Sequence, residues 1–461
     1  MSTTDVIRAT DEVRILVLET PSLGDRSYLA HDSEVALVVD PQRDIDRVLR
    51  LAEDEGVRIT HVLETHIHND YVTGGLALAE ATGAAYLVNG EDAVSFERVP
   101  VRDGEVVEVS PTMSIRVIAT PGHTFTHLSY ALLADRQEVG VFTGGSMLFG
   151  STGRPDLLGP DHTEALVHHQ YASTHRLAHE LPADVHVLPT HGFGSFCSAG
   201  SSEGATASTI GRERRENPAL TQEEDRWVEQ TLAGLDAFPA YYAHMGPANA
   251  AGPDAVELDP PARADKDAIA RSLRDGEWVV DLRNRTAFAA GHVVGTLNIG
   301  IDGQFSTYLG WLIPWGTPLT LLGETPEQVA EAQRELVRIG IDELEGAATG
   351  GPADWTDAEP GSFPRAQFAD LAQVRHHRPV TVLDVRRAPE HADGHIEGAV
   401  NVPIHEILGR LGELPDGEIW VHCAGGYRAS VVASVLAASG RQVVAVDDSF
   451  ERAGGAGLPI V

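Results

Sequence analysis

Short apolar runs set the rhythm of the first part of the chain. Ile15-Leu16-Val17-Leu18 and Val35-Ala36-Leu37-Val38-Val39 have the length of buried strands, a helical spacing runs over 45–52, and a further strand is predicted over 60–63. The alternation of such runs with turns and helices, from 14 to about 101, reads as α/β. A helix is predicted over 221–234, ahead of the aromatic cluster Tyr241, Tyr242 and His244. Late in the chain, the apolar run Ile419-Trp420-Val421 leads into the loop Cys423-Ala424-Gly425-Gly426-Tyr427-Arg428 and then into a helical pattern over 429–438.

The pattern also repeats. "EWVVDLRNRTAFAAGHVVGTLNIG", which contains Asp281 and His292, parallels "TVLDVRRAPEHADGHIEGAVNVP", which contains Asp384 and His395. Such self-similarity indicates duplication. In the earlier copy a strand over 319–322 leads to Gly323 and Gln328 where the later copy has Cys423 and Arg428. With neither thiol nor guanidinium, that copy is expected to be silent, a spacer whose "YLGWLIPWG" segment (308–316) is either an apolar interface or a buried loop. Stretches rich in Ala, Pro and Gly at 246–263 and 346–365 punctuate the chain. At 461 residues and roughly 150 residues per domain, three domains are expected, over 1–250, 264–350 and 365–461.

Composition narrows the classes of function. Hydrophobic residues make up 42% of the chain, yet no apolar run approaches the roughly 18 residues of a membrane span, and Met1-Ser2-Thr3-Thr4 opens no signal peptide. A soluble, cytoplasmic protein is the expectation. The net charge of −34 speaks against nucleic acid as a partner. Small molecules are the expected partners, and a homo-oligomer the expected assembly. The two cysteines, Cys197 and Cys423, fall in different expected domains, so no disulfide framework is predicted.

Cys423 carries the clearest chemistry. A thiol at the end of a strand, followed by Gly425 and Gly426, an arginine and a helix, meets backbone N–H groups and a helix dipole that favour its thiolate. The six-residue loop is one residue shorter than a loop that surrounds phosphate in cysteine phosphatases, which favours a sulfane sulfur as the bound group.

A second constellation lies in the first domain. "ETHIHNDYVTGG" places His66, His68 and Asp70 just past a predicted strand, where a loop can aim imidazoles at one ion. "TPGHTFTH" adds His123 and His127, "FTGGSMLFGSTGRPDLLG" follows over 142–159, and "LPTHGFGSFCS" adds His191 and Cys197. His127 is expected beside the ligands rather than among them. Cys197 either approaches this pocket, where it would accept a sulfane sulfur, or is a buried structural thiol.

The last hundred or so residues resemble the rhodanese sulfurtransferases, through "VLDVR", "GHIEGAVNVP" and "VHCAGGYRAS". The resemblance implies a ping-pong sulfur transfer with Cys423 as the nucleophile and Arg428 holding the anionic substrate, while Asp384 and His395 fix backbone around the loop. The histidine constellation resembles the metallo-β-lactamase fold, with His66, His68, Asp70, His123 and His191 at motif positions, but Tyr71 stands where that motif has its last histidine and Gly145 where it has an aspartate. Over its whole length the chain is most similar to persulfide dioxygenases fused to rhodanese modules. The implied fold is α/β throughout, a metallo-β-lactamase αββα sandwich followed by two rhodanese-like α/β domains.

That resemblance implies a mononuclear Fe(II) site, with zinc as the alternative metal, acting on O₂ and a low-molecular-weight thiol persulfide to give sulfite. The rhodanese module would then join sulfane sulfur to sulfite as thiosulfate, a route of sulfide detoxification. With no aspartate at 145, His66, His68 and His123 are the expected ligands, and Asp70 with His191 the residues of a second site. Two rival readings stand beside it: a zinc thioester hydrolase of the glyoxalase II type, and a sulfur carrier whose metal domain is degenerate.

Overall fold

The computed structural model describes residues 5–200 and 206–461. The chain forms two compact units, one of residues 1–257 with 337–340 and one of 258–336 with 341–461.

The first unit is built on two sheets. A seven-stranded sheet holds Asp5–Arg8, Arg14–Thr20, Asp25–His31, Val35–Val39, Arg58–Leu63, Ala85–Asn89 and Val99–Val101 in that order. A six-stranded sheet runs Ser208–Thr209, His186–Pro189, Gln137–Gly144, Leu128–Ala134, Met113–Ala119 and Val106–Glu108. Alternation along the strands explains the layers, because successive side chains leave opposite faces. Ile15, Val17, Leu37 and Val39 join Ile115, Val117, Tyr130 and Phe142 in the core shared by the sheets. Their neighbours Leu16, Leu18, Ala36 and Val38 pack outward on Val48 and Ala52 of the helix Asp46–Glu55 and on Leu78 and Ala79 of the helix Gly75–Thr82. On the far side Ile118, Ala131, Val141 and Val187 pack on Leu177 and Ala178 of the helix Pro160–Glu180. The layers are therefore helix, sheet, sheet, helix.

The second unit contains two parallel sheets of one design. In the first, Trp278–Asp281 lies between Leu297–Asn298 and Leu319–Gly323, with Gly346–Thr349 at the edge. In the second, Thr381–Asp384 lies between Val400–Asn401 and Glu418–His422, followed by Gln442–Val446 and Arg365–Ala366. The duplication reaches individual hydrogen bonds. Arg283 reaches back to Asp281 with Nη2 2.6 Å from Oδ2, and to the carbonyl of Gly291 at 2.8 Å. Arg386 does the same to Asp384 and Gly394 at the same two distances. Asn298 and Asn401 each donate through Nδ2 to two carbonyls of the respective strand ends.

The helix Phe305–Leu312 of the earlier copy has all eight residues buried. Its Trp311 stacks on His405 of the later copy, with ring centroids 4.8 Å apart. Tyr308 and Trp311 of the apolar 308–316 segment thus make an internal contact between the two copies, while Trp315 at its end is exposed. Among the described residues no helix is long and apolar enough to cross a membrane.

Candidate functional site

The histidine cluster sits at the strand ends of the first unit, and its backbone is held by carboxylates. Asp40, just past the strand Val35–Val39, accepts from the N–H of Thr65 (2.7 Å) and from the Thr65 hydroxyl (2.7 Å), which fixes the turn that presents His66. The Thr190 hydroxyl bonds the same carboxylate and holds the turn of His191. His123 points Nδ1 at the carbonyl of Arg154 (2.8 Å), so the proton lies there and Nε2 offers a lone pair. That Nε2 is buried and has no hydrogen-bond partner. His66 Nε2 lies 3.4 Å from His191 Nε2. Ligand atoms of His66, His123 and His191 all fall within 4.8 Å of one another, and those of His68, Asp70 and His191 do likewise.

These groupings differ from the expected set of His66, His68 and His123. Tyr71 is the reason. Its hydroxyl lies 3.0 Å from His68 Nε2, and the same nitrogen faces Asp40 and Glu64 at 3.3 Å each. Burial pushes the His68 pKa down, but the two carboxylates outweigh it and raise it to about 9; ligand atoms of Asp40, Glu64 and His68 form a third group within 4.8 Å of one another. His68 Nδ1 is buried and has no hydrogen-bond partner.

His191 comes forward instead. Its Nδ1 contacts Asp25 at 2.9 Å and Asp70 at 3.1 Å, the carboxylate–imidazole pairing that orients metal-binding histidines. Burial and the neighbouring Asp70 charge raise the Asp25 pKa to about 7. His66 and His123 are neutral: burial, then nearby imidazoles, hold His66 far below its usual value, and burial brings His123 to about 3. His127 is occupied, bonded to the Thr120 hydroxyl and accepting from the N–H of Gly145 at 3.0 Å.

Gly145 is closely surrounded. A Cβ there would stand 2.3 Å from Cδ2 of His123, so a carboxylate side chain does not fit beside His123 as it is placed. The residues present suit a divalent cation held by His66, His123 and His191, with the Asp70 carboxylate next to them. Cys197 is fully buried beside this cluster, its Sγ 3.9 Å from the Tyr242 hydroxyl and close enough to Asp70 for that charge to act on it. Burial, then the charges of Asp70 and Asp25, push its pKa far up, which favours the thiol form. Asp25, Asp40 and Glu64 escape sequence reading because Asp25 meets His191 across 166 positions. Only their place at strand ends hints at a role.

The cysteine site belongs to the second unit. The strand Glu418–His422 delivers Cys423, and the helix Tyr427–Ala438 starts at Gly426, whose φ of +94° and closeness to Asp447 (2.3 Å from an added Cβ) admit only glycine. The Gly426 N–H donates to Cys423 Sγ at 3.1 Å. Gly425 has open space around its Cα. Arg428 differs from the expected free anion clamp, because both terminal nitrogens are paired with Glu390, at 2.6 and 2.7 Å. Against its burial, that pairing holds the Glu390 carboxyl down to about 2. Beneath the loop, burial works against the Asp384 charge, but Arg386, His422 and His391 hold its pKa down to about 2. His395 bonds the carbonyl of His391 through Nδ1 (3.1 Å) and stacks on its ring. In the earlier copy, Gln328 folds into its own loop, accepting from the Glu324 N–H at 2.6 Å and donating to the carbonyl of Leu282 at 3.2 Å.

Comparisons with known proteins agree with this division. The Metallo-beta-lactamase superfamily matches residues 25–200, and the Rhodanese-like domain matches 367–453. The chain is 26% identical over 209 residues to the human mitochondrial persulfide dioxygenase ETHE1, 45% of this chain and 73% of that protein. It is 30% identical over 160 residues to a hydroxyacylglutathione hydrolase of Polaromonas sp., 34% of this chain and 57% of that one. A crystal structure of a metallo-beta-lactamase from Staphylococcus aureus aligns with TM-score 0.66 and 27% identity, over 74% of this chain and all of the other.

Proposed function

We infer, from a chain that joins a metallo-beta-lactamase domain to a rhodanese-like domain, that the protein handles sulfane sulfur. The observation that carries this reading is Cys423 at the mouth of a six-residue loop, with the Gly426 N–H already directed at its sulfur. Loop amides and the start of the helix supply positive potential where a thiolate and an incoming sulfoxy anion must meet. Asp384, Arg386 and Asn401 fix the backbone under the loop. The thiolate attacks the outer sulfur of the donor, an S–S bond forms on Cys423, and the bond to the donor's remaining part breaks with its electron pair. Transfer to the acceptor reverses these steps. The test is Cys423→Ser: thiosulfate-to-cyanide transfer should vanish while bound metal is unchanged, and transfer near the wild-type rate would sink the assignment.

For the first domain we propose persulfide oxidation, as in the dioxygenase relative. A ferrous ion there would supply O₂ activation, held by His66, His123 and His191. The protein's own part is to keep His66 and His123 neutral, to orient His191 through Asp25 and Asp70, and to exclude water from a fully buried cluster. Sulfite made in one domain would meet the Cys423 persulfide in the other, the tether raising its local concentration. The group of His68, Asp70 and His191 favours a second reading, a zinc hydrolase of thioesters, in line with the hydroxyacylglutathione hydrolases among the relatives. Anaerobic purification with metal analysis decides. Iron with persulfide-dependent oxygen uptake supports the first, and zinc with thioester cleavage the second.

A further inference from the structure

The Arg428 charge is spent on Glu390, so a sulfoxy anion at Cys423 needs another side-chain anchor. The silent copy builds the adjoining wall. The Tyr427 hydroxyl of the loop donates to the carbonyl of Gly300 at 2.7 Å, and its ring lies so close to Gly303 that a Cβ there would come within 2.2 Å of it. Tyr308 follows on the helix Phe305–Leu312, its ring centroid 5.8 Å from that of Tyr427. Trp311, one turn further on, lies nearly parallel to Tyr308 and stacks on His405.

Tyr308 is 8% exposed. Its hydroxyl is near enough to Arg428, Cys423, Arg387 and Glu390 for their charges to act on it, and burial raises its pKa, so it remains a neutral donor. Aromatic neighbours on both sides hold the ring in place.

We propose that Tyr308 is a specificity-determining residue of the sulfur-transfer pocket, a hydroxyl supplied by the silent copy that donates to the sulfonyl oxygens of thiosulfate or sulfite. This rests on Cys423 being the nucleophile. In thiosulfate turnover the thiolate forms an S–S bond to the sulfane sulfur, the sulfur–sulfonate bond breaks, and sulfite leaves with the electron pair. No external oxidant or reductant is consumed. A donor without oxygens, such as inorganic tetrasulfide, delivers the same sulfur and gives the hydroxyl nothing to bind.

The full-length protein, its Tyr308→Phe variant and its Cys423→Ser variant are compared in sulfur transfer to cyanide from thiosulfate and from tetrasulfide. Tyr308→Phe should raise KM for thiosulfate about tenfold, the loss expected of one hydrogen bond to a charged group. Its kcat and KM with tetrasulfide should stay at wild-type values. Equal losses with both donors would mark Tyr308 as structural packing and overturn the proposal, as would no loss with either. Cys423→Ser separates the two levels: if it still transfers sulfur, the nucleophile assignment itself has failed.

Discussion

His68 and His191 show how little spacing decides once side chains can rotate. Both belong to one recognisable set of histidines, but Tyr71 and two buried carboxylates draw His68 Nε2 away, while Asp25 and Asp70 aim His191 Nε2 at His66. His191→Ala is therefore expected to lose most of the bound metal. His68→Ala should keep more metal but lower stability, since it leaves Asp40 and Glu64 buried without their cation, a loss of roughly 3 kcal/mol. Metal content and thermal unfolding measured on both variants check this, and the reverse order would restore His68 as a ligand. Gly145→Asp should not rebuild a carboxylate site. Its Cβ falls 2.3 Å from the His123 ring, so His123 must shift, at a cost of roughly 1–3 kcal/mol. Titration with ferrous ion and oxygen-uptake assays should show equal or weaker binding and activity. A clear gain in both would mean that His123 moves easily. The membership of the cluster was legible in the sequence; which three nitrogens converge was not, because that turns on hydrogen bonds to Asp25, Asp40 and Glu64, residues remote in the chain.

Strands and loops were more legible than rings, because a strand announces itself locally. Ile15 to Leu18 and Val35 to Val39 fall within observed strands, since a two-residue period must bury one face on each neighbour. The loop after Glu418–His422 was readable for a similar reason: its six residues are contiguous. The partner of Arg428 was not, for Glu390 lies 38 positions upstream on another element. That pairing gives the element a pH signature. Folded-state carboxyl values of about 2 for Asp384 and Glu390 lie below the ordinary 3.8 and 4.5, so their stabilisation is complete above those ordinary values. It is lost as pH falls toward 2. Hydrogen exchange of the helix Tyr427–Ala438 in the intact chain should show protection falling between about pH 4.5 and 2. Asp384→Asn should blunt the fall by lowering protection at neutral pH as well. An exchange profile flat across that window would show that these carboxylates do not hold the loop.

At the scale of the molecule, the histidine cluster and Cys423 lie in different units, and the second unit also holds a copy of the cysteine module that lacks its cysteine and arginine. The duplicated modules share one frame: a strand-end aspartate, an arginine two residues on, and an asparagine bonding two carbonyls, at closely matching distances in both. In one module the frame carries Cys423 and Arg428; in the other it carries Gly323 and Gln328, and the Gln328 amide closes the loop on itself. Whatever holds the backbone is thus independent of what reacts upon it. The six residues at 323–328 and the six at 423–428 are thus cassettes at equivalent places on a common chassis, and a graft from the later position to the earlier would ask whether reactivity travels with the cassette or needs the neighbouring Tyr308 as well.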